Sequence, residues 1–181
     1  MTQPLITPTP PAGEEARVAG VFNAIQENLG FLPDGLKLYG ISPPLLETFI
    51  GNIAYFRSGT RLSPVLTTSI RYLVSSQSDC TFCIDMNEGF FTSMGFDLES
   101  VRQARSNPDL APVSEQERPL LKLALKAINA PEDVSAGDLD HARAQGWTDR
   151  DIFDAVAQAA SNKAFNYMLR TFKIEHQGAF V

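Results

Sequence analysis

The sequence is poor in the residues that carry most metal and thiol chemistry. It has two cysteines, two histidines and one tryptophan in 181 residues. A basic run is also missing: Lys plus Arg total 15 against 21 Asp plus Glu, a formal net charge of −6. An acidic chain without a basic stripe is unsuited to nucleic acid or an anionic membrane, so neither is expected as a partner. No apolar stretch reaches the ~18 residues that a membrane span needs. The opening MTQPLITPTPPAGEEA has no positive start followed by an apolar core, so it does not read as a secretory signal. The expectation is a cytoplasmic protein, a compartment in which a lone cysteine pair is catalytic or metal-binding more often than structural. The apolar fraction of 44% and charged fraction of 20% are those of an ordinary globular chain, and this length suits one domain.

What is present is helical periodicity almost throughout. Residues 1–12 form a proline-rich arm, with Pro4, Pro8, Pro10 and Pro11 biasing it away from helix. It is either loose or laid on a neighbouring subunit, and residues 13–181 make the domain. Val18, Val21, Phe22, Ile25 and Leu29 recur at steps of three and four, with Gly30 as a C-terminal cap. Ser42-Pro43 and Ser63-Pro64 each pair an N-cap residue with a proline in the first turn. The second of these opens a helix with the buried stripe Leu66, Ile70, Leu73 and Val74. The polar run Ser75 to Asp79 interrupts it, and the next helix begins at the cysteines and stops near Gly95. Ser114-x-x-Glu117 reads as a capping box, with Pro119 forcing a kink or a later start. A short helix spans Leu139 to Ala144, and Thr148 caps a last long helix reaching about Lys173. No segment alternates as a strand does. The expected fold is all-α, with about eight helices.

The cysteines lie in Ser78-Asp79-Cys80-Thr81-Phe82-Cys83. If Asp79 or Ser78 caps the helix, Cys80 falls in its first turn, where unpaired amides and the dipole stabilise a thiolate. Residues three apart share a helix face at roughly 5–6 Å, close enough to bridge into a disulfide with modest adjustment. Such a pair suits two-electron thiol chemistry, one sulfur attacking and the other resolving. Zinc would need three or four protein ligands, and the only other soft ones, His141 and His176, are far away in sequence. His141 sits on a polar face, and Trp147 reads as an apolar plug before the last helix. Phe90 and Phe91 read as core or subunit interface.

The stretch TSIRYLVSSQSDCTFC, Thr68 to Cys83, resembles the signature helix and CxxC turn of the alkylhydroperoxidase AhpD-like, carboxymuconolactone decarboxylase-like superfamily, in its peroxidase-related branch. The likeness continues through SEQERPLLKLALKAINAPEDV, ARAQGWTDRDIFDAVAQAA and AFNYMLRTF, and upstream through NLGFLPDGLKLYGISPPLLETF. It implies a helical fold with the CxxC at a helix start, assembly into homo-oligomers, and no metal or organic cofactor. It also implies disulfide-reducing or peroxide-reducing chemistry at Cys80 and Cys83, with a small peroxide or disulfide as substrate and a thiol as reductant. The superfamily's proton relay has a Glu twelve residues before the first cysteine and a His four after the second. Here those positions are Thr68 and Asn87. Neither can act as a base near neutral pH. Tyr72, one turn from Thr68, could add a hydroxyl, while Asp85 and Glu88 read as plain surface charge. The helix dipole favours attack by Cys80 and the family pattern favours Cys83, so the choice stays open. The expectation is a thiol–disulfide oxidoreductase with weak peroxidase capacity. The alternatives are a non-redox binding or structural protein, or a decarboxylase acting on a small lactone.

Overall fold

The computed structural model describes residues 4–174, and among them every regular element is helical. α1 (Glu15–Leu29) ends at Gly30, whose φ of 80° lets its amide close back on the Gln26 carbonyl at 2.8 Å. α2 (Asp34–Tyr39) and α3 (Pro43–Ser58) follow; Ser42 precedes α3, but its side chain makes no capping bond. At α4 (Pro64–Gln77) the Ser63 hydroxyl does accept from the Leu66 amide, at 3.0 Å. α5 (Thr81–Ser93) and α6 (Leu98–Gln103) lead to a 3-10 turn at Pro108–Leu110. α7 (Arg118–Asn129) starts later than the Ser114–Glu117 box alone would place it, because that box closes a turn just ahead of the helix and Pro119 occupies its first turn. Pro119 therefore produces the late start and not the kink. A second 3-10 turn, Pro131–Asp133, precedes α8 (Ala136–Ala144) and α9 (Asp149–Phe172).

α4 lies against α5, α7 and α9, and α7 also carries α8. The stripe of Leu66, Ile70, Leu73 and Val74 is fully buried there against Leu120, Leu121 and Ala124 of α7. Ala155 and Ala159, without long side chains, let α9 approach closely. Trp147 is the plug its position suggested: it is buried in this core and its indole N–H donates to the Gln116 carbonyl at 2.8 Å. A second, smaller core gathers Leu38, Cys80, Phe82, Cys83, Phe165, Leu169 and Ile174. The described part of the N-terminal arm folds onto this core of its own chain. Leu5 donates its amide to the Phe172 carbonyl at 3.0 Å, and Ile6 packs beside the cysteine cluster.

The turn between α4 and α5 aims the cysteines. Cys80 donates its amide to the Ser75 carbonyl at 3.0 Å and Asp79 donates to Ser76 at 3.2 Å, a Schellman closure. The closure needs a left-handed residue, and Asp79 takes it at φ 49°. A side chain there costs about 1–2 kcal/mol, least for the short polar residues. Asp79→Val is therefore expected to lower unfolding stability by ~1–2 kcal/mol in urea titration, more than an exposed Asp→Val elsewhere.

Candidate active site

The Schellman turn leaves Cys80 as the residue that caps α5, one place earlier than a cap at Asp79 and two earlier than a cap at Ser78 would put it, with Cys83 in the first turn. Both thiols are buried, Cys80 at 2% exposure and Cys83 at 0%. Their environments push them apart. A hydrogen bond from the Cys83 thiol lowers the pKa of Cys80, opposed by burial and helped by the Cys83 amide and the charge of Arg170. Burial pushes the Cys83 thiol far up, and its bond to Cys80 adds to this. Arg170 is held nearby by donating from Nη1 to the Ser78 carbonyl at 2.7 Å. A polar ladder backs the pair: Asn162 donates to Ser75 Oγ at 3.0 Å, and Ser75 donates to the Arg71 carbonyl at 2.6 Å.

The two relay positions do meet, but through a residue the sequence reading passed over. Arg71 donates from Nε to Asn87 Oδ1 at 3.1 Å and from Nη2 to Thr68 Oγ1 at 3.0 Å. Asn87, fully buried, donates its own amide to the Cys83 carbonyl at 2.7 Å. Where a carboxylate and an imidazole would pass a proton, this chain has a fixed guanidinium bridging two neutral side chains. Burial lowers the Arg71 pKa to about 10, which leaves it cationic at neutral pH. Among the described residues it has no carboxylate partner.

Tyr72 is not part of this group. Its ring is in the main core, edge-on to Phe91, and its hydroxyl donates to Glu88 Oε1 at 3.0 Å. The expected surface role of Glu88 is also corrected: it is 6% exposed and accepts from Arg102 at 3.0 and 2.6 Å, from Tyr72, and from Arg105. The helical wheel turned Glu88 away from the Cys83–Asn87 face, and that direction leads to α4 and α6 rather than to water. Burial alone would raise its pKa, but the Arg102 and Tyr72 hydrogen bonds outweigh it and hold the carboxyl below its usual range. A folded pKa below the unfolded one contributes stability above the unfolded value and loses it as pH falls through the folded value. Glu88→Gln is expected to cost ~1–3 kcal/mol near neutral pH, limited by the solvent exposure of both arginines. In denaturant titrations its deficit against wild type should close as pH falls below the usual carboxylate range.

Beside the thiol core a cavity of about 390 Å³ opens, lined by Phe49, Phe56, Phe82, Phe90, Met86 and Phe165 among others. Tyr39, Phe49 and Phe165 stack in series at 4.6 and 4.9 Å, and Phe82 and Phe165 belong to both the cavity wall and the cysteine cluster. Gly35 lets α2 press on this wall, since a Cβ there would sit 3.0 Å from both Phe165 and Phe82. Thr68, Arg71, Gln158 and Asn162 supply its polar side. His141 is exposed on α8 and is not part of this cavity's lining, and His176 falls outside the described residues. Among the described residues no cluster of three His, Cys, Asp or Glu is placed to hold a metal.

No protein-family profile and no curated protein matches the sequence. Solved structures do. An uncharacterized peroxidase-related protein from Silicibacter sp. TM1040 superposes with a TM-score of 0.85 at 23% identity, over 99% of this chain and 97% of that one. An uncharacterized peroxidase-related protein from Ralstonia eutropha JMP134, described as an alkylhydroperoxidase AhpD core, gives 0.85 at 20%, over 99% and 95%. The debrominase Bmp8 gives 0.75 at 21%, over 97% and 93%. The chain thus has the AhpD-like helical fold, in the form taken by peroxidase-related proteins. At these identities the likeness defines the fold and leaves the chemistry to the site.

Proposed function

We propose that this protein is a thiol–disulfide oxidoreductase with slow peroxide-reducing capacity, in which Cys80 attacks and Cys83 resolves. The observation that carries the reading is the placement of the two free, buried sulfurs, Cys80 capping α5 and Cys83 in its first turn with its thiol bonded to Cys80. The Cys80 thiolate attacks the terminal oxygen of a hydroperoxide. The O–O bond breaks, the sulfur is oxidised to a sulfenic acid, and the alkoxide leaves and takes up a proton. The Cys83 thiol then displaces the sulfenic oxygen as water and closes the disulfide. Two electrons from an external thiol reductant restore the pair. With both sulfurs buried, the aromatic wall or the N-terminal arm must open before they react. The exposed apolar side chains Leu45, Phe153, Tyr167 and Met168 suit a homo-oligomer.

A non-redox binding protein is the second reading, and the Arg71 bridge favours it, because the relay positions hold no group that can move a proton. A lactone decarboxylase gains nothing here: among the described residues the cavity wall includes no carboxylate or imidazole to serve as its base. Mixing the reduced protein with cumene hydroperoxide and counting remaining thiols separates the readings. Loss of two thiols per chain supports the oxidoreductase, and retention of both supports the binding protein.

A further inference from the structure

The cavity beside the thiols has an electrostatic character opposite to that of the chain. The protein carries a net charge of −6, yet among the described residues the cavity wall includes two arginines, Arg57 and Arg71, and no acid. Arg57 is exposed, at the rim, and among the described residues neither arginine forms an ion pair. Arg71 is half-buried, its Nη1 is in no hydrogen bond among the described residues, and its guanidinium lies 5.8 Å from the Phe90 ring centroid. A cation held in an aromatic wall by neutral partners lacks the counter-charge that buried cations ordinarily have. On the same wall Gln158 is 5% exposed, and its buried Oε1 has no hydrogen-bond partner. That orphan is an acceptor, which a ligand O–H such as that of a hydroperoxide can satisfy and a carboxylate cannot, so the anion's place on this wall is the unpaired Arg71 guanidinium, the polar end of a site whose other end is apolar.

We propose that this cavity binds a small amphipathic acid, its carboxylate on Arg71 and its alkyl or aryl body among Phe49, Phe82, Phe90 and Phe165. The guanidinium offers the planar fork of donors that a carboxylate accepts. The volume, near the low end of ordinary ligand pockets, suits a single short chain or ring. Resting on the oxidoreductase reading, this names the substrate class as an acid-bearing organic hydroperoxide rather than hydrogen peroxide. As a binding statement it stands without that reading.

The test is isothermal titration of the full-length protein with octanoate and with octanamide, which shares the body but not the charge. It is run on wild type and on the Cys80→Ser/Cys83→Ser protein, so that thiol chemistry cannot affect the result. Octanoate is expected to bind at least about tenfold more tightly than octanamide, the ratio that one charge-assisted pair supplies. Arg71→Gln should abolish the preference while leaving octanamide binding in place, and Arg71→Lys should restore part of it. If Arg71→Gln does not fold, the wild-type ratio and its decline with added salt decide the matter. Equal affinity for acid and amide, a preference that survives Arg71→Gln, or no saturable binding of octanoate would overturn the proposal. Octanoate binding in a protein whose thiols ignore hydroperoxide would leave the acid site standing and remove the oxidoreductase reading.

Discussion

Cys80→Ser is expected to slow hydroperoxide-dependent thiol loss by at least about 10³, because a hydroxyl has no anionic form near neutral pH. The thiol it leaves, Cys83, is the one whose pKa burial pushes up, so it stays protonated and unreactive. Cys83→Ser should behave differently. Its hydroxyl can still donate to Cys80, so the first step survives and stops at a Cys80 sulfenic acid, one oxygen heavier by mass spectrometry. Cys83→Ala removes that donor. Since the Cys83 bond is the largest influence lowering the Cys80 pKa, the pH at which Cys80 reacts half-maximally should rise in Cys83→Ala relative to Cys83→Ser. For wild type that midpoint should lie below that of an ordinary exposed thiol. Stopped-flow thiol loss across pH reads all four proteins.

Rebuilding the proton relay is expected to raise the peroxidase rate of wild type by about 10², at the low end of what general acid–base help supplies. The variant is Thr68→Glu with Asn87→His. The glutamate would give Arg71 the carboxylate it lacks and leave an oxygen to orient the imidazole. Asn87→His alone should gain little. It takes from Arg71 Nε its acceptor and places an imidazole beside an uncompensated guanidinium, which disfavours the protonated form. Thr68→Glu alone should leave the rate near wild type, with the carboxylate spent on the arginine. Equal rates for wild type, both single variants and the double would mean that proton delivery does not limit this site, leaving opening of the buried pair as the limiting step.

The helices were legible because their signals are local. Ser63, Thr148 and Gly30 each perform the capping role their positions announce. The Ser135-x-x-Asp138 box is equally local and starts α8 at Ala136, three residues ahead of Leu139, where the apolar pattern alone places it. The site was harder to read because its partners come from different helices. Thr68, Arg71 and Ser75 lie at steps of three and four on one face of α4. Arg71 and Tyr72 stand at i+3 and i+4 from Thr68, and spacing alone does not decide which of them meets it. An arginine beside the buried stripe was the available signal. Asn162, Asn166 and Arg170 repeat every fourth residue along α9, and that polar row was the other. The burial of Glu88 depends on Arg102 and Arg105 arriving from α6 and the residues just after it, which no single-helix pattern reveals.

The measurement that bears most directly on the account is the state of the two sulfurs after one equivalent of hydroperoxide. The reduced protein is oxidised, its remaining thiols are blocked with iodoacetamide, and the intact and digested chains are weighed while circular dichroism follows the helices. The account predicts that Cys80 and Cys83 escape blocking together, in a chain two hydrogens lighter, linked within itself and still helical. Two blocked thiols, or a link between chains in place of the internal one, would contradict it.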